Sequence, residues 1–168
     1  MNTSLTLTSA AFENGGMIPA KYTCDLPAGR QAATQHISPP LSINGVPKTA
    51  KSFVLIMDDP DIPKVVRESR DIEAFDHWVL FNIPPEMREI PEGGTTGSAG
   101  LNGSGNSGYT GPCPPPEYEP SEHRYIFKLY ALRAPLALRA GATKREVLSA
   151  LAPLLIGETE LVGRYSRK

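Results

Sequence analysis

A few side chains of this sequence could do chemistry together. Asp59 and Asp61 flank a proline in Asp58-Asp59-Pro60-Asp61-Ile62-Pro63, His77 opens one apolar run, and His123 opens another with Tyr125 two residues on. Each stands where a short apolar segment begins or ends. If those ends gather at one rim of a domain, two imidazoles, a phenol and a carboxylate converge. Imidazoles and free loop amides donate hydrogen bonds while a carboxylate orients one ring, a set that suits a small oxyanion. Taken singly, each has a plainer reading. A strand-end His is commonly a surface or structural residue, and Asp-Pro-Asp is turn chemistry. The conjunction is what points to a site.

Other chemistries fit less well. Two His and an Asp are zinc-ligand types, but no close pair such as H-x-x-x-H occurs, and no metal is expected. Ser104, Ser107 or Cys113 near His123 and Asp59 would make a nucleophile. However, G-x-S-x-G is absent, and Cys113 lies between prolines with no helix N-terminus to activate it. Gly103-Ser104-Gly105-Asn106-Ser107-Gly108 matches G-x-G-x-x-G, yet a proline-rich run follows where a nucleotide site needs a helix, so no cofactor is expected. His36 receives no role.

The elements that must position these residues read as strands. Lys51 to Met57 is a buried strand that breaks at the two prolines of the Asp-Pro-Asp segment. Lys64 to Asp76 is a charged excursion, and His77 to Ile83 is apolar on both faces, as a central strand would be. In His123 to Leu132, alternation puts His123, Tyr125, Phe127 and Leu129 on one face and Arg124, Ile126, Lys128 and Tyr130 on the other. Thr143-Lys144-Arg145-Glu146 is a capping box that starts one helix, which Pro153 bends or ends. Leu161 to Tyr165 forms a closing strand. Leu26 to His36 reads as an inserted loop, and Gly93 to Pro116 as a long Gly/Pro-rich loop of the kind that carries function. Strong strands with one helix and no βαβ alternation predict a mainly antiparallel β domain spanning residues 1–168.

Composition sets the outer limits. The 168 residues carry 17 basic and 18 acidic side chains, a net charge of -1. That balance excludes a dedicated nucleic-acid binder and polybasic docking on anionic membranes. With 15 glycines and 17 prolines, the chain is not a helical bundle. No apolar run is long enough to span a bilayer, and the N-terminus shows no secretory signal. The two cysteines, Cys24 and Cys113, match no zinc or redox motif. Reduced thiols in a cytoplasmic protein are the expectation.

Several blocks recur together in one known family. They are Ile18 to Asp25 (IPAKYTCD), Ser38-Pro39-Pro40-Leu41, Asp58 to Pro63 (DDPDIP), His77 to Pro84 (HWVLFNIP), Gly108 to Pro115 (GYTGPCPP) and His123 to Leu132 (HRYIFKLYAL). In this order they resemble the phosphatidylethanolamine-binding protein family, and most closely its bacterial and archaeal Raf-kinase-inhibitor-like branch. The resemblance implies an antiparallel Greek-key β-sandwich with a C-terminal helix and a small anion pocket at one rim. Carried over motif by motif, Asp59, His77, His123 and Tyr125 line that pocket, Gly111 and Cys113 belong to the loop that supplies amides, and Pro115 forms a wall. It also brings Cys24 and Cys113 toward one end of the sandwich, where a bridge is possible. This chain departs from the family at the longer Leu26 to His36 segment, at Ile43 in place of a Trp, and at Ala152-Pro153 in place of Gly-His.

The expected function is therefore a non-enzymatic binding or regulatory protein for phosphate, another small oxyanion or a phosphorylated headgroup. The alternative is a protein-interaction inhibitor of a serine protease or a kinase, and the weaker one a hydrolase with His77 or His123 as base. The oligomeric state stays open between monomer and homodimer. Anion affinity should rise as the histidines gain protons, around their ordinary pKa of about 6.5.

Overall fold

The strongest alternation in the sequence is also the clearest in three dimensions. His123, Tyr125, Phe127 and Leu129 are all buried, whereas Arg124 is exposed and Ile126, Lys128 and Tyr130 are half-buried. A computed structural model describes residues 4–25 and 36–167. Its elements are β1 (Thr6–Thr8), β2 (Gly16–Met17), β3 (Leu41–Asn44), β4 (Ser52–Asp59), α1 (Lys64–Arg70), β5 (Phe75–Ile83), β6 (Glu89–Ile90), β7 (Ser98–Ala99), β8 (Glu122–Leu132), α2 (Lys144–Leu151) and β9 (Leu155–Ser166). They form a mainly β domain of two open sheets, ordered β1-β3-β6 and β2-β9-β8-β4-β5-β7. All pairings are antiparallel except the short edge pair β2 with β9.

Every residue of β4 is buried, because both faces of the large sheet are covered. Phe53, Leu55 and Met57 pack toward the small sheet with Leu41, Ile43 and Ile90. Val54 and Ile56 pack on the other side with Leu136, Val147 and Leu151, the last two from α2. Burying each such side chain stabilises by roughly 1.5–3 kcal/mol, so these two layers hold the strands that carry the candidate site. Ile43 sits fully buried in the core between the sheets.

The helix begins where the capping box requires. The Thr143 hydroxyl accepts from the Glu146 amide, and the Glu146 carboxylate accepts from the Thr143 amide. It ends at Leu151, and a single 3₁₀ turn through Pro153 leads directly into β9. β9 is longer than the expected closing strand, because it pairs along the whole length of β8.

Three expectations need correction or refinement. The excursion after the Asp-Pro-Asp segment contains a short helix, α1, whose residues are none of them buried; its solvent-facing composition left no apolar period to read. β5 starts at Phe75 and lies one place in from the two-residue edge strand β7, rather than at the centre. The cysteines are not free thiols: Cys24 and Cys113 form a disulfide across a separation of 89 residues. No local spacing could reveal this pair. It forms because the Cys24 amide donates to the Pro112 carbonyl, which brings the two loops side by side. The free-thiol expectation followed from the lack of a secretory signal, and the Cys24–Cys113 bridge overturns it. Among the described residues no helix is long and apolar enough to cross a membrane. The expected inserted loop from Leu26 lies outside the described residues, except for His36.

Candidate functional site

The residues singled out from the sequence come from four separate stretches of chain. Asp59 ends β4, His77 lies near the start of β5, His123 and Tyr125 open β8, and Gly111, Cys113 and Pro115 belong to the long loop before it. All seven line one cavity of about 210 Å³ at the end of the large sheet, together with Ile62, Pro63, Val66, Phe75, Thr110 and Pro114.

A break in the strand pairing aims His77. Met57 pairs with Trp78 but Asp58 pairs with Asp76, so His77 is an extra residue in a β-bulge. Strict alternation would put His77 and Trp78 on opposite faces of the sheet. The bulge instead lets Trp78 enter the core between the sheets while His77 lines the cavity beside it. Bulges of this kind re-aim side chains at sites, and nothing in the sequence marks one here. The His77 ring packs edge-on against Tyr125, with centroids 5.1 Å apart, and against Phe75 at 4.9 Å. Its Nδ1 donates to the Thr110 carbonyl over 2.7 Å, and the Thr110 amide donates back to the His77 carbonyl. Burial pulls the His77 pKa below the ordinary imidazole value, against the pull of the Thr110 carbonyl.

Asp59 holds the second imidazole. Its Oδ2 accepts from His123 Nδ1 at 2.7 Å, and its Oδ1 accepts from the Asp61 amide at 2.8 Å. Both carboxylate oxygens are thereby occupied, and His123 is left with Nε2 alone. Asp61 turns outward to a two-pronged pairing with Arg124, whose Nε and Nη2 donate over 2.8 Å. That guanidinium keeps the Asp61 carboxyl below its usual range. The Asp-Pro-Asp segment is thus both turn and clamp: one Asp fixes His123 and the other pins the turn to β8.

Two polar atoms at this rim lack partners. His123 Nε2 and Tyr125 Oη are buried with no hydrogen bond, on residues that are 1% and 0% exposed. Buried polar groups are nearly always paired, so these two atoms have capacity for a further partner within the cavity. Burial also pushes the Tyr125 phenol far up, so it keeps its proton.

The loop contributes differently from what the sequence suggested. The Gly111 amide, expected to face an anion, donates to His36 Nδ1 at 2.7 Å. His36, which had no assigned role, thus anchors the cavity wall. Gly111 is needed for close approach, since a Cβ there would sit 2.6 Å from the Tyr22 carbonyl oxygen. Asn102, also missed, organises the glycine-rich turn: its Oδ1 accepts from the Ser104 and Asn106 amides, and its Nδ2 donates to Gly108 O and Thr110 Oγ1. Its only signal was its place in a run of Gly, Asn and Ser. Ser104 and Ser107 lie in this turn and do not line the cavity. The two-residue edge strand β7 ends four residues before the G-x-G-x-x-G run, which closes in turns with no helix opening from it. Among the described residues no cluster of His, Cys, Asp or Glu could hold a metal ion.

The molecule is thus an open two-sheet β domain with a small polar-ended cavity at one rim of its large sheet. The family model described as phosphatidylethanolamine-binding protein matches residues 8–166, and the chain belongs to that family. It is 44% identical over 170 residues to a UPF0098 protein of Methanothermobacter thermautotrophicus, covering 97% of this chain and 99% of that protein. A crystal structure of a phosphatidylethanolamine-binding protein homolog from Chlamydia trachomatis superposes with a TM-score of 0.86 at 40% identity, over 99% of both chains. The fold also matches E. coli YbcL, with a TM-score of 0.79 at 24% identity over 98% of this chain and 99% of that one. Membership is consistent with a binding protein.

Proposed function

We propose that this protein is a binding or regulatory module, not an enzyme, whose cavity takes a small oxyanion such as phosphate or a phosphorylated headgroup. The observation that carries this reading is the pair of buried, unpartnered atoms, His123 Nε2 and Tyr125 Oη, in a cavity whose single carboxylate already accepts a hydrogen bond on each oxygen. With its Nδ1 proton facing Asp59, a protonated His123 presents Nε2–H to the cavity and its charge is balanced by that carboxylate. A charge-assisted bond from this ring and one from the phenol would hold an oxyanion oxygen. The disulfide and the His36–Gly111 bond keep the wall in place, so little ordering is required on binding.

Isothermal titration with inorganic phosphate and O-phosphorylethanolamine tests the reading, with the ligand recovered and analysed afterwards. Saturable binding of unchanged ligand is expected. His123→Ala should weaken it about tenfold or more, as loss of a hydrogen bond to a charged group does, and Tyr125→Phe by a smaller factor. Unchanged affinity in both variants, or hydrolysis of the phosphoester, overturns it.

A further inference from the structure

The hydrogen-bonding capacity of the cavity is unbalanced in a way that bears on its ligand. His77 Nδ1 lies 2.7 Å from the Thr110 carbonyl, which can only accept, so that nitrogen carries the ring's proton. In the neutral ring Nε2 is then a bare acceptor, and among the described residues no side chain or backbone group donates to it. The cavity lining contains no Lys or Arg; its charged and titratable members are Asp59, His77, His123 and Tyr125. Arg124 is turned away to Asp61, and Lys128 and Lys144 are engaged by Asp58 on the opposite face of the sheet. The site thus offers one phenol donor at Tyr125, one acceptor at His77, and at His123 an unpartnered Nε2 that donates when that ring carries both protons.

Resting on the oxyanion reading above, we propose that the site selects an oxyanion that still carries a hydrogen: the singly charged form of a phosphate monoester or of inorganic phosphate, with its P–OH donating to His77 Nε2. Two of its other oxygens accept from His123 Nε2–H and Tyr125 Oη–H. A sulfate-type anion of equal size has acceptors only and would set a lone pair against the bare His77 nitrogen. Sites that hydrogen-bond a ligand hydrogen reject analogues lacking it, because their own buried group is left unpaired. A dianion meets the further obstacle that the lining holds no Lys or Arg, so that the only positive charge it could meet is that of a doubly protonated His123 already facing Asp59.

Methyl phosphate and methyl sulfate separate the possibilities, since they match in size. At pH 6 about half of a phosphate monoester is the monoanion. Calorimetry with the intact protein at that pH should show methyl phosphate binding at least tenfold more tightly. The groups acting on His77 are Asp58 and Asp59 from β4, His123 and Tyr125 from β8, and the Thr110 carbonyl. When the pH is lowered until His77 itself protonates, Nε2 becomes a donor and the ratio should shrink as methyl sulfate gains. His77→Phe should bring the ratio near one; the pH series on the wild-type chain gives the same answer if that variant does not fold. Methyl sulfate binding as well as methyl phosphate at pH 6 overturns the selectivity but leaves the oxyanion site standing. A preference that persists in His77→Phe also overturns it. Absence of binding by either compound removes the oxyanion reading and this inference with it.

Discussion

The two ends of β5 each carry a β-bulge, and they handle their polar residues in opposite ways. At the far end, Phe53 pairs with Ile83 and Leu55 with Leu80, so β5 has one residue too many and Asn82 adopts a positive φ of 54°. The bulge returns Ile83 to the core between the sheets, although Phe81, two residues before it, packs on the other side. Asn82 is then fully used: Nδ2 donates to the Leu136 carbonyl at 2.9 Å and Oδ1 accepts from the Leu136 amide at 2.7 Å. At the near end, the bulge places His77 in the cavity, where the neighbouring His123 Nε2 and Tyr125 Oη remain unpartnered. The same backbone device serves packing at one end and a cavity at the other. What separates them is whether the buried polar atoms are satisfied.

Removing the disulfide tests whether the near end needs covalent support that the far end does without. Cys24→Ser with Cys113→Ser should cost about 2–4 kcal/mol, the typical range for a disulfide, with chain entropy across the 89-residue separation setting an upper bound of about 4.6 kcal/mol. Urea midpoints with and without reductant read this directly, and anion affinity should fall with it because Cys113 lines the cavity. Equal midpoints would mean that hydrogen bonds alone hold the wall.

A smaller loss is expected at the far end. Asn82→Ala strands the Leu136 amide and carbonyl and leaves a β-carbon in the left-handed region, for about 2 kcal/mol. Anion affinity should be unchanged, since no Asn82 contact reaches the cavity. A variant that lost affinity without losing stability would break the division between the two bulges.

The third test separates the ends by pH. Burial holds the His77 pKa below its ordinary value. Between that depressed value and about 6.5, the unfolded chain binds a proton that the folded chain does not, so stability should fall as pH drops through this window. The slope of the urea midpoint between pH 7.5 and 5, measured without added anion, should flatten in His77→Phe and persist in Asn82→Ala. Further acidification removes the contribution of Asp61, whose carboxyl is held low by Arg124 and loses that advantage only on protonation. An unchanged slope in His77→Phe would place the acid sensitivity elsewhere.

Much of this architecture could be read from residue order. Alternation over His123 to Leu129, the capping box at Thr143 and the continuous apolar runs of β4 and β5 are local signals, set by side-chain direction and backbone hydrogen bonding over a few residues. The identities of the cavity residues were legible too, because Asp59, His77, His123 and Tyr125 stand at the ends of those runs within recognisable motifs. Other features depended on partners far along the chain. The His77 bulge exists only against β4, the Gly111 amide is taken by a histidine 75 residues away, and Asn102 acts through the turn it closes. The cysteines carried no indication of their own state, since a disulfide needs two loops side by side and sequence distance says nothing of that. Local chemistry therefore determined which residues were available at the rim. Only the tertiary structure decided which polar atoms were satisfied there, because a hydrogen bond is a relation between groups that the folded chain must first bring together.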